Sequence, residues 1–188
     1  MITRILLADD HKIMRYGLSE AISNESDMEV AGVAENGIQV VEMAKNIQPD
    51  VVLMDITMPL LNGIEATRQI VAANPGIKVI GLSMHSSAKL ITEIFDAGAK
   101  GYVLKDCEYK ELLNAIRVVM KGDIYITAAV RESVEKTIRN GLGRSQSDTV
   151  YTLSERERQV TQLFAEGKTT RQIGSILFIS PKIYMIPI

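Results

Sequence analysis

The sequence has little that could fasten it covalently or hold it in a bilayer. Of its 188 residues only one is cysteine, which excludes an internal disulfide. With His11 and His85 as the sole histidines, no cysteine–histidine spacing suited to a metal exists either. Cys107 is therefore expected to be a structural thiol. Tryptophan is absent. No apolar run approaches the roughly 18–20 residues that span a membrane, and Met1–Arg4 leads straight into a strand pattern instead of a signal peptide. A cytoplasmic protein without membrane contact is expected. Apolar residues, by contrast, make up 46% of the chain, enough to bury a real core.

A formal net charge of −2 conceals an asymmetry. Residues 1–120 hold 11 Lys and Arg against 16 Asp and Glu, net −5; residues 121–188 hold 10 against 7, net +3. An acidic front half suits a cation site, and a mildly basic back half permits contact with a phosphate backbone.

Four short runs, Ile5–Ala8, Val51–Met54, Val79–Leu82 and Tyr102–Leu104, are apolar on both faces and rich in branched residues, as buried strands of a parallel sheet should be. Together with a strand over 28–34, the pattern predicts strands near 3–8, 50–54, 78–83 and 101–104. Amphipathic stretches of helical length alternate with them near 12–24, 37–47, 63–73, 86–97 and 108–121. In the first, Ile13, Leu18, Ala21 and Ile22 mark the apolar side. Pro49 and Pro75 precede strands, while Asn36-Gly37, Asn62-Gly63 and Gly76 stand at joints. Five βα units make an α/β domain, a doubly wound, flavodoxin-like parallel sheet of five strands.

After Gly122 the pattern changes. Val130, Val134 and Ile138 place an apolar stripe on a helix near 127–140, and residues 141–150 are small, polar and without period, as in a linker. A small all-α unit follows. Ser154 and Glu157 form a capping box, Val160, Leu163 and Phe164 share a face, and Gly167 stops the helix. Thr169 or Thr170 then caps a second helix with Ile173, Ile176 and Leu177, which suggests a helix-turn-helix. The expected domains are 1–121, a connecting stretch 122–150, and 151–188.

The polar residues that end the four apolar runs are Asp9-Asp10, Asp55, Ser83 and Lys105. Carboxyl ends of strands are where open α/β sheets bind ligands, so these residues should converge. Their chemistry is that of phosphoryl transfer to a carboxylate. Asp9, Asp10 and Asp55 can hold magnesium, which takes oxygen ligands and keeps waters. Lys105 can pair with phosphoryl oxygens and Ser83 can donate to another. A flavin site is disfavoured, because acidic residues line the rim where a phosphate would sit.

The turn Asp9-Asp10-His11, Asp55 within VVLMDITMP (51–59), Asn62-Gly63, Ser83 after VIGL and GYVLK (101–105) resemble the receiver domain of two-component response regulators. That resemblance covers residues 1–121. It implies that Asp55 is the phosphoacceptor, with Lys105 and Ser83 assisting, and that the receiver aids its own phosphorylation and dephosphorylation without being an enzyme otherwise. It further implies Mg2+ held by Asp9 through water, by Asp10, by Asp55 and by the backbone carbonyl of Thr57. Ser83 and Tyr102 would be the switch pair. Thr57 also stands where a haloacid-dehalogenase-type phosphatase would have a second aspartate. Residues 153–180, with LSERERQV and the Ala165-Glu166-Gly167 stop, resemble the LuxR-type helix-turn-helix of the NarL/FixJ class.

The implied partners are a sensor histidine kinase or small phosphodonor, a second copy of the chain on phosphorylation, and DNA. In that class a recognition helix follows the turn and lies in the major groove. Here residues 181–188 read PKIYMIPI, with Lys182 the single cation and Pro187 disfavouring helix at Ile186. The reading is an incomplete recognition helix, from an altered frame or a truncated product, with weak DNA contact through Thr169, Thr170 and Lys182. Two functions follow: a transcription regulator, or a phosphorylation-responsive interaction or phosphate-buffering module without operator recognition.

Overall fold

The computed structural model describes residues 2–128 together with 130, 163, 166, 168, 172 and 176. The elements, in chain order, are β1 (Thr3–Ala8), α1 (Lys12–Ser23), β2 (Met28–Ala34), α2 (Gly37–Ile47), β3 (Val51–Asp55), α3 (Gly63–Ala73), β4 (Lys78–Ser83), α4 (Ala88–Asp96), β5 (Gly101–Leu104), α5 (Tyr109–Met120) and β6 (Tyr125–Ile126). All pairings are parallel, in the order β2-β1-β3-β4-β5-β6.

Alternation along the strands builds two cores. Ile5 and Leu7 of β1 and Val51 and Leu53 of β3 face one side, where Leu18 and Ile22 of α1 and Leu112, Ile116 and Val119 of α5 meet them. Leu6, Ala8, Val52 and Met54 face the other, against Val40 and Ala44 of α2, Ile70 of α3 and Ile94 of α4. Successive Cβ atoms point to opposite faces of a strand, so each run must be apolar throughout when both faces are covered. Full burial of one such side chain contributes roughly 1.5–3 kcal/mol.

Two expectations change. The sheet carries a sixth strand, β6, because Tyr125 N–H donates to Lys100 O (3.0 Å) and Thr127 N–H to Tyr102 O (3.1 Å). Two residues are too few for a periodic pattern, so nothing in the sequence announces this strand. Ile13 lies outside the apolar side of α1 and is 89% exposed. Five residues separate it from Leu18, about 140° away around a helix of 3.6 residues per turn, whereas Met14, at i−4, packs with Leu18 and Ile22.

Val130 is helical and buried against the α2–α4 side of the sheet. The remainder of the helix expected near 127–140, the linker 141–150, most of the helix-turn-helix, and Thr169, Thr170 and Lys182 lie outside the described residues. No helix among the described residues is long and apolar enough to cross a membrane.

Candidate functional site

Each site residue is held by a hydrogen bond that carries the sheet ladder one step past its strand. Asp9 N–H donates to Ala34 O (3.2 Å), Ile56 N–H, next after Asp55, to Leu82 O (3.1 Å), and Lys105 N–H to Ser83 O (2.8 Å). Backbone pairing thus places Asp9, Asp55, Ser83 and Lys105 side by side at the carboxyl edge of β1, β3, β4 and β5.

The loop after β3 is held equally close. Asn62 caps α3, its side chain accepting from Glu65 N–H, and Gly63 N–H donates to Ile56 O (2.9 Å). A Cβ on Gly63 would lie 2.0 Å from the carbonyl oxygen of Asp55, so only glycine fits. Leu60, in the same loop, is a non-glycine residue in left-handed backbone (φ 69°).

One buried ammonium joins two buried carboxylates. Lys105 Nζ lies 2.8 Å from Asp9 Oδ2 and 2.8 Å from Asp55 Oδ2. Asp9 is 1% exposed and Asp55 2%. Burial pushes the Asp55 carboxyl above the usual carboxylate range; Lys105 and the Thr57 N–H, which donates to Asp55 Oδ1 (3.0 Å), pull the other way without reversing it. Burial works against the Lys105 charge too, but its bonds to Asp55 and Asp9 outweigh that and hold its pKa up. The ammonium is therefore a permanent cation.

Asp10 stands at the rim, and one ligand atom from each of Asp9, Asp10, His11 and Asp55 lies within 4.8 Å of every other. Three carboxylates against one ammonium leave two negative charges, the complement of a divalent cation, and the oxygen donors suit a hard one. The residues present fit magnesium. Thr57, named for its carbonyl, sits beside them and is exposed.

Ser83 is buried, and its Oγ accepts from His85 N–H (3.0 Å). Tyr102 is fully buried with its ring already turned inward, and its hydroxyl donates to His85 O. Burial raises the Tyr102 pKa, keeping the phenol protonated and a donor. Cys107 packs partly buried against the α1–α5 core, and burial, then Glu111 and Asp106, push its thiol up to about 11. This matches the structural thiol expected from sequence.

The contacts of three residues escaped the sequence reading. Arg15 donates to Asp9 O (2.8 Å) and pairs with Glu35, twenty residues away. His11 Nδ1 approaches both Asp9 and Asp10. Leu60 N–H donates to the Glu166 carboxylate at 3.2 and 3.3 Å. No local pattern encodes the Arg15–Glu35 and Leu60–Glu166 pairs, although Arg15 stands on the first turns of a helix that starts at the site.

Residues 5–117 match the response regulator receiver domain, and residues 151–183 match the bacterial regulatory proteins of the luxR family. The chain belongs to the two-component response regulators with a LuxR-type DNA-binding domain. It is 34% identical to the transcriptional regulatory protein DegU of Brevibacillus brevis, over 95% of this chain and 81% of that protein. It is also 34% identical to the oxygen regulatory protein NreC of Staphylococcus carnosus, over 95% and 84% respectively. Among solved structures, a LuxR-family two-component response regulator from Aurantimonas sp. matches with a TM-score of 0.71 at 29% identity, covering 74% of this chain and 99% of that one. These relatives favour the transcription regulator over the phosphate-buffering module.

Proposed function

We propose that this response regulator is phosphorylated on Asp55, and the observation that carries the proposal is the Lys105 ammonium shared by Asp55 and Asp9. An Asp55 carboxylate oxygen forms the new bond to phosphorus as the bond from phosphorus to the donor breaks; the donor, a histidine imidazole or acetate, leaves with the electron pair. Lys105, turning from the carboxylates to the phosphoryl oxygens, neutralises charge that develops there. Ser83 Oγ donates to another of those oxygens. Asp9, Asp10, Asp55 and the Thr57 carbonyl would hold Mg2+, which supplies positive charge to the phosphoryl oxygens when bound. The same groups, with water as acceptor, would serve hydrolysis of the acyl phosphate.

The division that fits this reading is a receiver over 1–121, a connection over 122–150 and a LuxR-type unit over 151–188. A sensor histidine kinase has exposed apolar side chains to dock on beside the site, Ile13 and Tyr16 of α1 and Tyr109 of α5. Glu166 supports coupling to the output unit, since its carboxylate sits on Leu60 N–H, in a groove it shares with Asp10 and Thr57. A phosphoryl group on Asp55 would repel that carboxylate and favour release, with pairing of two chains through the Ser83–Tyr102 side of the sheet. DNA contact is assigned to Thr169, Thr170 and Lys182.

Incubation with acetyl phosphate and Mg2+ should add one hydroxylamine-labile phosphoryl group, absent in Asp55→Asn. Equal labelling of the variant would reject the assignment. Affinity for operator DNA should fall with rising salt as counterions return to the phosphates, and Lys182→Ala should flatten that slope.

A further inference from the structure

Arg15 closes a ring of bonds around the end of β1. Its side chain is only 11% exposed, and its two terminal nitrogens go to different segments: Nη1 donates to Asp9 O (2.8 Å), and Nη2 to the Glu35 carboxylate. Asp9 N–H in turn donates to Ala34 O (3.2 Å), one residue before Glu35. Glu35 is itself anchored, because its N–H donates to the side chain of Gln39 (2.8 Å) near the start of α2. Both backbone groups of Asp9 are thus held, one by the sheet and the other by a side chain of α1. The Asp9 carbonyl shares a planar peptide unit with the Asp10 nitrogen, so a bond to that oxygen fixes the plane from which both aspartates project. A forked guanidinium suits two acceptors on separate segments; the point charge of a lysine does not.

We propose that Arg15 is a positioning residue for phosphoryl transfer to Asp55: held by Glu35, it fixes the Asp9–Asp10 peptide so that both carboxylates face the cation and Asp9 keeps its share of Lys105. The inference rests on the reading that these carboxylates hold Mg2+. Charge explains why the arginine comes with Glu35. A lone guanidinium beside the acidic edge would cancel one of the two negative charges that three carboxylates and Lys105 leave, whereas the neutral Arg15–Glu35 pair leaves both for the divalent ion. Lys105 Nζ stands 2.8 Å from each of Asp9 and Asp55, so release of Asp9 would also draw the ammonium onto the nucleophile. A tie between α1 and β2 that served folding alone would change stability and move neither carboxylate.

Mg2+ binding to the full chain would be measured by calorimetry, without phosphodonor, for the wild type, Arg15→Met, Arg15→Lys and Glu35→Gln. In the metal-free protein, NMR exchange of the His11 amide, which donates to Asp9 Oδ1 (2.8 Å), reports whether that carboxylate stays in place. Loss of a group that orients a metal ligand costs roughly 10–100-fold in affinity, so Arg15→Met should weaken Mg2+ at least about tenfold and speed His11 exchange, with Arg15→Lys between it and the wild type. Acetyl phosphate labelling of Arg15→Met should recover as Mg2+ is raised. Glu35→Gln alters a side chain that is 65% exposed, so it keeps the fold, and it should show the same losses in smaller measure. Wild-type values of either Mg2+ affinity or His11 exchange in Arg15→Met, or in Glu35→Gln should Arg15→Met fail to fold, would overturn the positioning role whatever the melting temperature did. A wild type that binds no Mg2+ would overturn the cation reading and this inference with it.

Discussion

Asp55 is a carboxylate that the fold holds at a cost. Burial raises its pKa, so protonation binds more tightly to the folded chain than to the unfolded one. Its contribution to stability is present below the carboxylate range of the unfolded chain and is lost as pH rises through the raised folded value. Without metal, Asp55→Asn should therefore melt above the wild type at neutral pH. The gap should close on acidification, where the wild-type group is neutral as well; a gap that widened in acid would contradict the burial argument. Lys105 is the converse case. Lys105→Met leaves two buried carboxylates without their shared cation, and breaking a buried pair this way costs about 3–5 kcal/mol. Denaturant unfolding should show that loss, and Lys105→Met combined with Asp55→Asn should recover part of it.

At the scale of elements, the β3–α3 connection decides whether Asp55 faces its partners. Asn62 caps α3, and Gly63 lets the helix start against the Asp55 carbonyl. Gly63→Ala would press a methyl group into backbone that cannot yield without moving β3. Overpacking of this kind costs about 1–3 kcal/mol. The displacement falls on Asp55 itself, so acetyl phosphate labelling should drop at least as far as stability does; labelling at the wild-type rate would show that the loop yields elsewhere. Strands β4 and β5 carry Ser83 and Tyr102, the proposed switch pair. Ser83 and Tyr102 meet there around the backbone of His85, and Ser83→Ala should leave labelling measurable yet weaken pairing of the phosphorylated chain. Only a contact that differs between the two states can shift their balance.

For the whole molecule, the described hydrogen bond that spans the greatest distance in sequence is Leu60 with Glu166, 106 residues apart. It joins the loop after β3 to the segment that matches the luxR family. Glu166→Gln keeps the shape of the side chain but removes the charge that a phosphoryl group would repel. The variant should label with acetyl phosphate about as fast as the wild type or faster, yet release less of its output unit, read as a smaller gain in proteolytic sensitivity of residues 141–150 on phosphorylation. Equal gains in the two proteins would remove Glu166 from the coupling. The acidic front half and basic back half agree with the proposed division of labour, a cation site in one and phosphate contact in the other.

What the sequence determined by itself was the order of elements and the polar residues that end them. Hydrophobic period and strand-end chemistry are local, so Asp9, Asp10, Asp55, Ser83 and Lys105 could be placed at strand ends without knowing which strands pair. Strand order came only with the tertiary structure, because pairing β1 between β2 and β3 depends on contacts between distant segments. Folding likewise decided that one ammonium serves both Asp9 and Asp55, that β6 adds to the sheet edge, and that Ile13 faces outward while Met14 packs. Arg15 with Glu35, and Leu60 with Glu166, belong to the same class. Each joins groups that no periodic signal links, since a hydrogen bond or ion pair needs only two atoms brought within reach, and the packing of the whole sheet determines which two.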